Sequence, residues 1–118
     1  MSKRRDPESL LPLTPGMFQV LIALADGDKH GYAIIKEVDR RSGGETALSA
    51  GTLYTIIRRF EQEGVIAESA VRPEAALDDE RRRYYKLTVE GRRRLAHERS
   101  VWQNFFVAID RVAGFTKL

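Results

Sequence analysis

The sequence comprises 118 residues with a formal net charge of +3 and contains no cysteine. A chain of this length can form one domain, or one domain with an arm, and can bury a modest core. The absence of cysteine excludes disulfides, thiolate metal sites and thiol redox chemistry. No apolar run is long enough to cross a bilayer, and the N-terminus lacks the apolar segment of a signal peptide, so we expect a cytoplasmic protein with no membrane partner.

Basic residues occur in clusters, whereas several acidic residues are grouped elsewhere. The local potential can therefore be strongly positive although the net charge is small. Residues 1–9 are polar and charged and contain a proline, which predicts a flexible basic arm. Such an arm either adds contacts to phosphates or is a leader of no consequence. The basic clusters are Lys3 to Arg5, Arg40-Arg41, Arg58-Arg59, Arg81 to Arg83 and Arg92 to Arg94.

Thr14 and Pro15 predict the start of a first helix. Threonine can cap the helix, and proline at its first position lacks only an N–H that would be unpaired in any case. The turn residues at 26–28 end the helix. Its predicted apolar stripe consists of Phe18, Leu21, Ile22, Leu24 and Ala25.

A second helix is predicted from about Gly31 to Arg41, and the residues at 42–44 break it. His30 stands at its entrance. One histidine without neighbouring ligands predicts a structural role rather than a metal or catalytic site. The predicted core residues of this helix are Ile34, Ile35 and Val38.

The segment from Ser49 to Gly64 predicts a third helix, because Ser49 can cap its first turn and Gly64 can adopt the left-handed conformation that ends it. A short connection joins it to the second helix, and the two together predict a helix-turn-helix. The apolar face of the third helix, whose members recur at helical spacing, consists of Leu53, Ile56, Ile57 and Phe60.

The opposite face of the third helix has small residues at its start and arginines in its middle. Small residues allow close approach to a DNA major groove, and Thr, Tyr and Arg side chains can bond to base edges and phosphates. An ordinary solvated face is the alternative, since charged outer faces are common. The candidate DNA-binding residues here are Ser49, Gly51, Thr52, Tyr54, Thr55, Arg58 and Arg59.

Two segments after the third helix, at 65–69 and 83–87, have the composition of β-strands. The residues between them predict a charged loop, so the two strands form a hairpin of the kind called a wing. Arg81, Arg82 and Arg83 lie where a wing contacts the DNA backbone or a narrow minor groove, whose negative potential attracts arginine. A solvated loop is the alternative.

Thr88 predicts the cap of a last and longest helix, from Val89 to about Ala113. Its second half is strongly apolar, and a small three-helix head cannot bury it. Soluble monomers avoid large exposed apolar patches, so this half is predicted to pack on a second copy of the chain about a two-fold axis. The predicted dimerisation residues are Leu95, Trp102, Phe105, Phe106, Ile109 and Val112.

Several of these segments together resemble the PadR family of bacterial transcriptional regulators over nearly the whole chain. They are His30 to Ile34, Gly51 to Tyr54, Ile57 to Gly64, Arg83 to Thr88 and Gly91. The short C-terminal region, one helix with one tryptophan near its middle, resembles the small subtype that includes multidrug-sensing repressors. By this resemblance, the residues that face the DNA groove are Thr52, Tyr54, Thr55 and Arg58.

In that subtype the last helices of two subunits cross, and a flat aromatic drug can lie between paired tryptophans in a pore at the dimer centre. The resemblance therefore implies an effector site at Trp102, with Glu98, Phe106, Met17 and Phe18 at neighbouring positions. Phe18 and Phe106 are bulky, which departs from the drug-binding pattern and predicts a partly filled pore. Trp102 as plain dimer core is the alternative.

The sequence thus predicts a mainly α fold with a small β-hairpin: an arm (1–9), a winged helix-turn-helix domain (10–88) and a C-terminal dimerisation helix (89–118). The predicted function is a homodimeric transcriptional repressor that binds a palindromic operator in double-stranded DNA and is released by a planar hydrophobic molecule. A winged-helix module that binds protein instead of DNA is the alternative. No catalytic grouping or phosphate-binding loop is evident, so we expect no enzyme, cofactor or metal.

Overall fold

The computed structural model of the chain describes residues 13–70 and 83–114. In these ranges a mainly helical chain carries a small antiparallel sheet, which confirms the predicted winged helix-turn-helix with a long final helix. The predicted arm (1–9), most of the predicted wing loop and residues 115–118 lie outside the described residues. The elements are α1 (Pro15–Ala25), β1 (Lys29–His30), α2 (Gly31–Arg41), α3 (Ala50–Gln62), β2 (Ile66–Ser69), β3 (Tyr84–Leu87) and α4 (Val89–Ala113).

Side chains cap the first turn of each of these helices, which confirms the predicted helix starts. Thr14, Ser49 and Thr88 each accept a hydrogen bond from a backbone N–H three residues further on. His30 does the same for α2 through Nδ1, which lies 3.2 Å from the backbone nitrogen of Ala33. The structural role predicted for this histidine is thereby confirmed.

The described sheet has three strands, one more than the predicted hairpin. β3 lies in the centre and pairs antiparallel with both β1 and β2. In the added strand, Lys29 pairs with Tyr85 and His30 with Tyr84. A strand of two residues has no alternation that a sequence can reveal, so β1 is recognisable only once the turn after α1 has brought it beside β3.

The core lies between α1, α2, α3 and the sheet. The apolar stripe predicted for α1 is wrong in part, because Val20 and Ala23 are fully buried whereas Phe18 and Ile22 are partly exposed. α1 is apolar on most sides and contacts α2, α4 and β3, so its neighbours rather than its periodicity decide which residues are buried. In α2 and α3 the predicted residues do line the core: Ile34, Val38, Leu53, Ile57 and Phe60 are buried, with Ile35 and Ile56 partly so.

The two halves of α4 have different surroundings. The first half packs on α1 and β3, with Leu95 partly buried against the core. In the second half, most side chains from 103 to 113 are exposed. Within the described ranges, none of the helices combines the length and the apolar character that a membrane span requires.

Candidate nucleic-acid interface

α3 turns one face to the core and the other to solvent. Leu53, Ile57 and Phe60 hold the buried face in place. Because a helix has 3.6 residues per turn, burying these three residues leaves the opposite side free. Five of the α3 residues predicted to contact DNA share that side and are exposed: Gly51, Thr52, Tyr54, Thr55 and Arg58. Ser49 is exposed at the N-cap, and Arg59 is only partly exposed.

The hydroxyl groups at the start of α3 have partners within the helix. The Oγ of Ser49 accepts a hydrogen bond from the backbone N–H of Thr52 at 3.1 Å and donates one to Oγ1 of Thr52 at 3.0 Å. Thr55 donates its hydroxyl proton to the carbonyl of Gly51 at 3.0 Å. Ser49 therefore fixes the helix start, and the hydroxyl proton of Thr52 has no acceptor among the described residues.

Arg58 and Arg59 are adjacent in sequence but have different environments. The Nε of Arg59 donates to Oε2 of Glu63 at 3.0 Å, and its side chain is only 31% exposed. Arg58 is exposed and forms no ion pair within the parts of the chain that the structure describes. Since a guanidinium held by a carboxylate has less to offer a phosphate or a base, Arg58 is the better placed of the two to contact DNA.

The ring of Tyr54 lies against the start of α2. A Cβ on Gly31 would overlap the hydroxyl of Tyr54 and would lie 3.0 Å from its Cζ. The phenol therefore occupies space that only a glycine leaves open. This contact connects the solvent-exposed face of α3 to the first turn of α2, although Tyr54 is still 43% exposed.

Exposed cations also lie in and next to the central strand of the sheet. Arg83 immediately precedes β3, and Lys86 points outward from it. Tyr85 between them is buried, and burial is the main reason why the pKa of its phenol is raised. Arg81 and Arg82, the other cations predicted for the wing, lie outside the described residues.

An aromatic and basic cluster at the start of α2 was not predicted from the sequence. Tyr32 is 59% exposed, and the ammonium of Lys36 lies 5.3 Å above its ring centre. The imidazole of His30 lies parallel to the same ring, with centres 6.5 Å apart. The spacing of four residues between Tyr32 and Lys36 was the available signal, since residues so spaced are neighbours on a helix.

Trp102 on α4 has aromatic neighbours within its own subunit. Its indole stacks on Phe18 of α1, with ring centroids 6.4 Å apart, and meets the ring of Phe105 edge to face at 6.0 Å. Its Nε1 is buried and finds no acceptor among the described residues. Buried indole N–H groups usually have a partner, so this donor can still take an acceptor from outside the subunit.

Two other residues predicted to line the effector pore make their contacts within their own subunit. Met17 belongs to the core, with 8% of its surface exposed. Glu98 is 2% exposed, and its Oε2 accepts a hydrogen bond from the backbone N–H of Leu13 at 3.1 Å. Its carboxylate therefore holds the chain just before α1.

The far half of α4 exposes large apolar side chains. Val112 is 90% exposed, and Phe106 is 60% exposed. Phe105, Ile109 and Val107 are each exposed by more than two fifths. Of the predicted dimerisation residues, Phe105, Phe106, Ile109 and Val112 are therefore exposed in the single chain, whereas Leu95 and Trp102 already pack within it.

In the two ranges that are described, no three His, Asp or Glu side chains are grouped so that they could hold a metal ion.

A helix-turn-helix whose second helix presents hydroxyls and an arginine to solvent, followed by strands flanked by exposed cations, defines a winged-helix DNA-binding domain. The model of a family described as the transcriptional regulator PadR-like family matches residues 20–97. The chain belongs to this family, so it is a DNA-binding transcriptional regulator, and the resemblance in its sequence is confirmed.

Solved structures of similar proteins agree with this assignment. A PadR family transcription regulator from Clostridium difficile is 28% identical, with a TM-score of 0.65 over 83% of this chain and 99% of that chain. A transcriptional regulator from Clostridium thermocellum is 26% identical, with a TM-score of 0.66 over 80% and 86%. In sequence, the chain is also similar to an uncharacterized protein from Lysinibacillus sphaericus, with 28% identity over 91 residues that cover 77% of this chain and 81% of that protein.

Proposed function

We propose that the protein is a cytoplasmic homodimeric repressor whose subunits associate through the second half of α4. The observation that carries this proposal is the exposed apolar stripe formed by Phe105, Phe106, Ile109 and Val112. These side chains recur at helical spacing along one helix, and a contiguous apolar patch of this kind marks a protein interface. A two-fold axis lets the same stripe serve both subunits.

A dimer of this kind presents two copies of α3 to DNA. Each copy enters a major groove, and the half-sites of a palindromic operator lie about 34 Å apart, one turn of the double helix. Arg58, Tyr54 and Thr52 supply side chains for bases and phosphates, while Ser49, Gly51 and Thr55 keep the helix surface low enough for close approach.

The cations beside the sheet add contacts to the DNA backbone. Arg83 is exposed next to β3, and Arg81 and Arg82 precede it in the chain. Arginines at this place suit phosphates or a narrow minor groove. Arg59 lies near the C-terminal end of α3 and does not act as a free cation, because its ion pair with Glu63 neutralises its charge.

A planar hydrophobic effector at Trp102 is a second proposal, supported by the buried indole Nε1 that has no acceptor among the described residues. Such a molecule lies beside Trp102 and Phe106 at the dimer centre, close to Phe18. It binds one arrangement of the two α4 helices more tightly than the other. The difference between these two binding free energies is the amount by which it weakens DNA binding.

A mobility-shift assay with the duplex from upstream of the protein's own gene tests the DNA-binding part of this proposal. We expect binding that weakens steeply between about 50 and 200 mM salt, because cations on the protein displace counterions from phosphates. Transcription from the same promoter should rise when the protein is absent. A winged-helix module that binds only protein would show no salt-dependent shift, and unchanged transcription would refute the repressor.

Ligand binding has its own test, because Trp102 is the one tryptophan of the chain. Titration with a planar cationic dye should change its emission and release the operator in parallel. Unchanged emission at saturating dye would remove the effector from the proposal and leave Trp102 as dimer core.

A further inference from the structure

Ion pairs connect the C-terminal end of α3 to α4. Glu63 uses one carboxylate oxygen for Arg59, at 3.0 Å, and the other for Nη1 of Arg94, at 3.4 Å. The Nε of Arg94 lies 3.9 Å from Oε1 of Glu98. Glu98 also accepts a hydrogen bond from the backbone N–H of Leu13. These polar contacts therefore connect α3 through α4 to the residue range just before α1.

This network is partly shielded from water. The side chain of Glu98 is 3% exposed, that of Arg94 is 19% exposed and that of Glu63 is 26% exposed. Shielded charges are screened less by salt than charges on the surface. The neighbouring Arg93 differs, because it is 72% exposed and, among the described residues, forms an ion pair only with Glu90 of its own helix.

Hydrogen bonds to the backbone also connect the end of α3 to the start of α4. The hydroxyl of Thr88 lies within hydrogen-bond distance of the carbonyl oxygens of Gly64 and Val65, and the backbone N–H of Thr88 donates to Val65 at 3.1 Å. Gly91 lies so close to the carbonyl of Val65 that a Cβ there would overlap it. The end of α3 therefore has both a backbone and a side-chain link to α4.

We propose that Arg94 is a positioning residue that sets the angle between α3 and α4, and thereby the half-site spacing that the dimer accepts. This inference depends on the proposed dimeric DNA binding. Because α4 carries the dimer contact, the angle between α4 and α3 determines how far apart the two reading helices lie. Arg94 controls that angle because its planar guanidinium directs separate nitrogens at Glu63 and Glu98, which a lysine with one ammonium cannot do.

The test measures tolerance to spacing rather than affinity alone. The probe is a palindromic duplex that the wild-type protein selects from a random-sequence library, together with versions in which one central base pair is inserted or removed. One base pair moves the half-sites by about 3.4 Å and about a tenth of a turn. We expect the wild-type protein to lose about tenfold in affinity for the altered duplexes.

The variant Arg94→Gln/Glu98→Gln removes both charges, because Arg94→Gln alone would leave the Glu98 carboxylate buried without its cation. We expect this double variant to fold and dimerise, to bind the selected duplex more weakly and to lose less than about threefold on the altered duplexes. Glu63→Gln breaks the link from Arg94 to α3 at a more exposed position, so it should relax the spacing in the same way even if the double variant fails to fold. Because this variant also breaks the ion pair with Arg59, the quantity compared is the spacing penalty and not the affinity for the selected duplex.

Arg93→Gln is the matched control, because it removes the same charge one residue away and leaves Glu63 and Glu98 untouched. It should retain the full spacing penalty. If folded Glu63→Gln and the double variant both keep that penalty, Arg94 does not position α3 and the inference is overturned. If the wild-type protein selects no duplex at all, dimeric DNA binding is refuted first and the inference falls with it.

Discussion

Phe18 of α1 and Trp102 of α4 stack within one subunit, with ring planes 12° from parallel. The indole therefore has an aromatic neighbour before a second subunit or an effector arrives. The bulk of Phe18, from which the sequence predicted a partly filled pore, thus covers the indole from inside the subunit. A flat ligand has to use the other face of Trp102 or displace Phe18.

Phe18→Ala should uncover this face of the indole. We expect acrylamide to quench Trp102 more strongly and a planar cationic dye to bind more tightly, with a loss of about 1–3 kcal/mol in the free energy of unfolding from the missing ring. Tyr32→Ala removes an exposed ring elsewhere and should change neither quenching nor dye binding. Equal quenching in the wild-type protein and Phe18→Ala would show that Phe18 does not cover the indole in solution.

Arg58→Ala should weaken operator binding by about 1–3 kcal/mol if the guanidinium bonds to a base, or reduce the salt dependence if it contacts only phosphate. The physical reason is its exposure on the outward face of α3 without an ion pair among the described residues. Arg93→Ala, which removes an exposed arginine of α4, is the control for net charge. Mobility shifts over a salt series distinguish these outcomes, and an unchanged affinity and slope would take Arg58 out of the interface.

Phe105→Lys should prevent the proposed dimer from forming, because it would bury an unpaired charge in the stripe that the two α4 helices of such a dimer share. Phe105 is 48% exposed in the single chain, so the substitution leaves most of the subunit core intact. Val89→Lys introduces the same charge at an exposed valine at the start of α4 and should leave the dimer unchanged. Sedimentation at micromolar concentration reports the mass, and an intact Phe105→Lys dimer would contradict the proposed interface.

Gly91→Ala should destabilise the fold by about 1–3 kcal/mol, because its Cβ would overlap the carbonyl oxygen of Val65 and would lie 2.8 Å from Cδ1 of Leu87. Backbone cannot move aside as a flexible side chain can. Gly51→Ala is the matched control on another helix, where the added Cβ meets only Ser49 Oγ at 4.0 Å, and it should gain up to about 1 kcal/mol. Urea unfolding measures both variants, and equal effects would mean that the α3–α4 junction is loosely packed.

Stability should fall at alkaline pH in a way that depends on Tyr85. Burial, reinforced by Tyr54, Glu61 and Glu68 and opposed by Arg83, raises the pKa of this phenol above its ordinary value of 10.0. A raised pKa in the folded state means that the unfolded chain loses its proton first, so the stabilisation is complete below about pH 10 and is lost as the pH rises through the folded pKa.

Tyr85→Phe should therefore flatten the alkaline limb of the profile of unfolding free energy against pH. Tyr32→Phe, at an exposed phenol, controls for the removal of a hydroxyl group. Parallel profiles for the wild-type protein and Tyr85→Phe above about pH 10 would contradict the buried environment of this side chain.

Much of the fold follows from local chemistry in the sequence. A cap such as Thr14 or Ser49 acts on an N–H three residues away, and Gly64 ends α3 through its own conformation, with φ of 75°. The apolar face of α3 follows from apolar residues that recur three or four positions apart, which is the spacing of a helix. These signals lie within a few residues of one another, so they are legible without knowledge of the rest of the molecule.

Other features depend on residues that are far apart in the chain. Glu98 is buried because it meets the N–H of Leu13, 85 positions away, and periodicity on α4 cannot reveal that partner. Phe18 is likewise only partly buried, because the elements that pack on α1 decide which of its apolar residues are covered.

The sequence by itself determined where the helices begin and end, which face of α3 is buried and the family to which the chain belongs, because each depends on short-range spacing or on residues in a recognisable order. Only the tertiary structure decided that β1 joins the sheet, that Arg59 is paired while Arg58 is exposed, and that ion pairs connect α3 to α4. The physical reason is that burial and ion pairing depend on distances across the folded chain, which no local pattern contains.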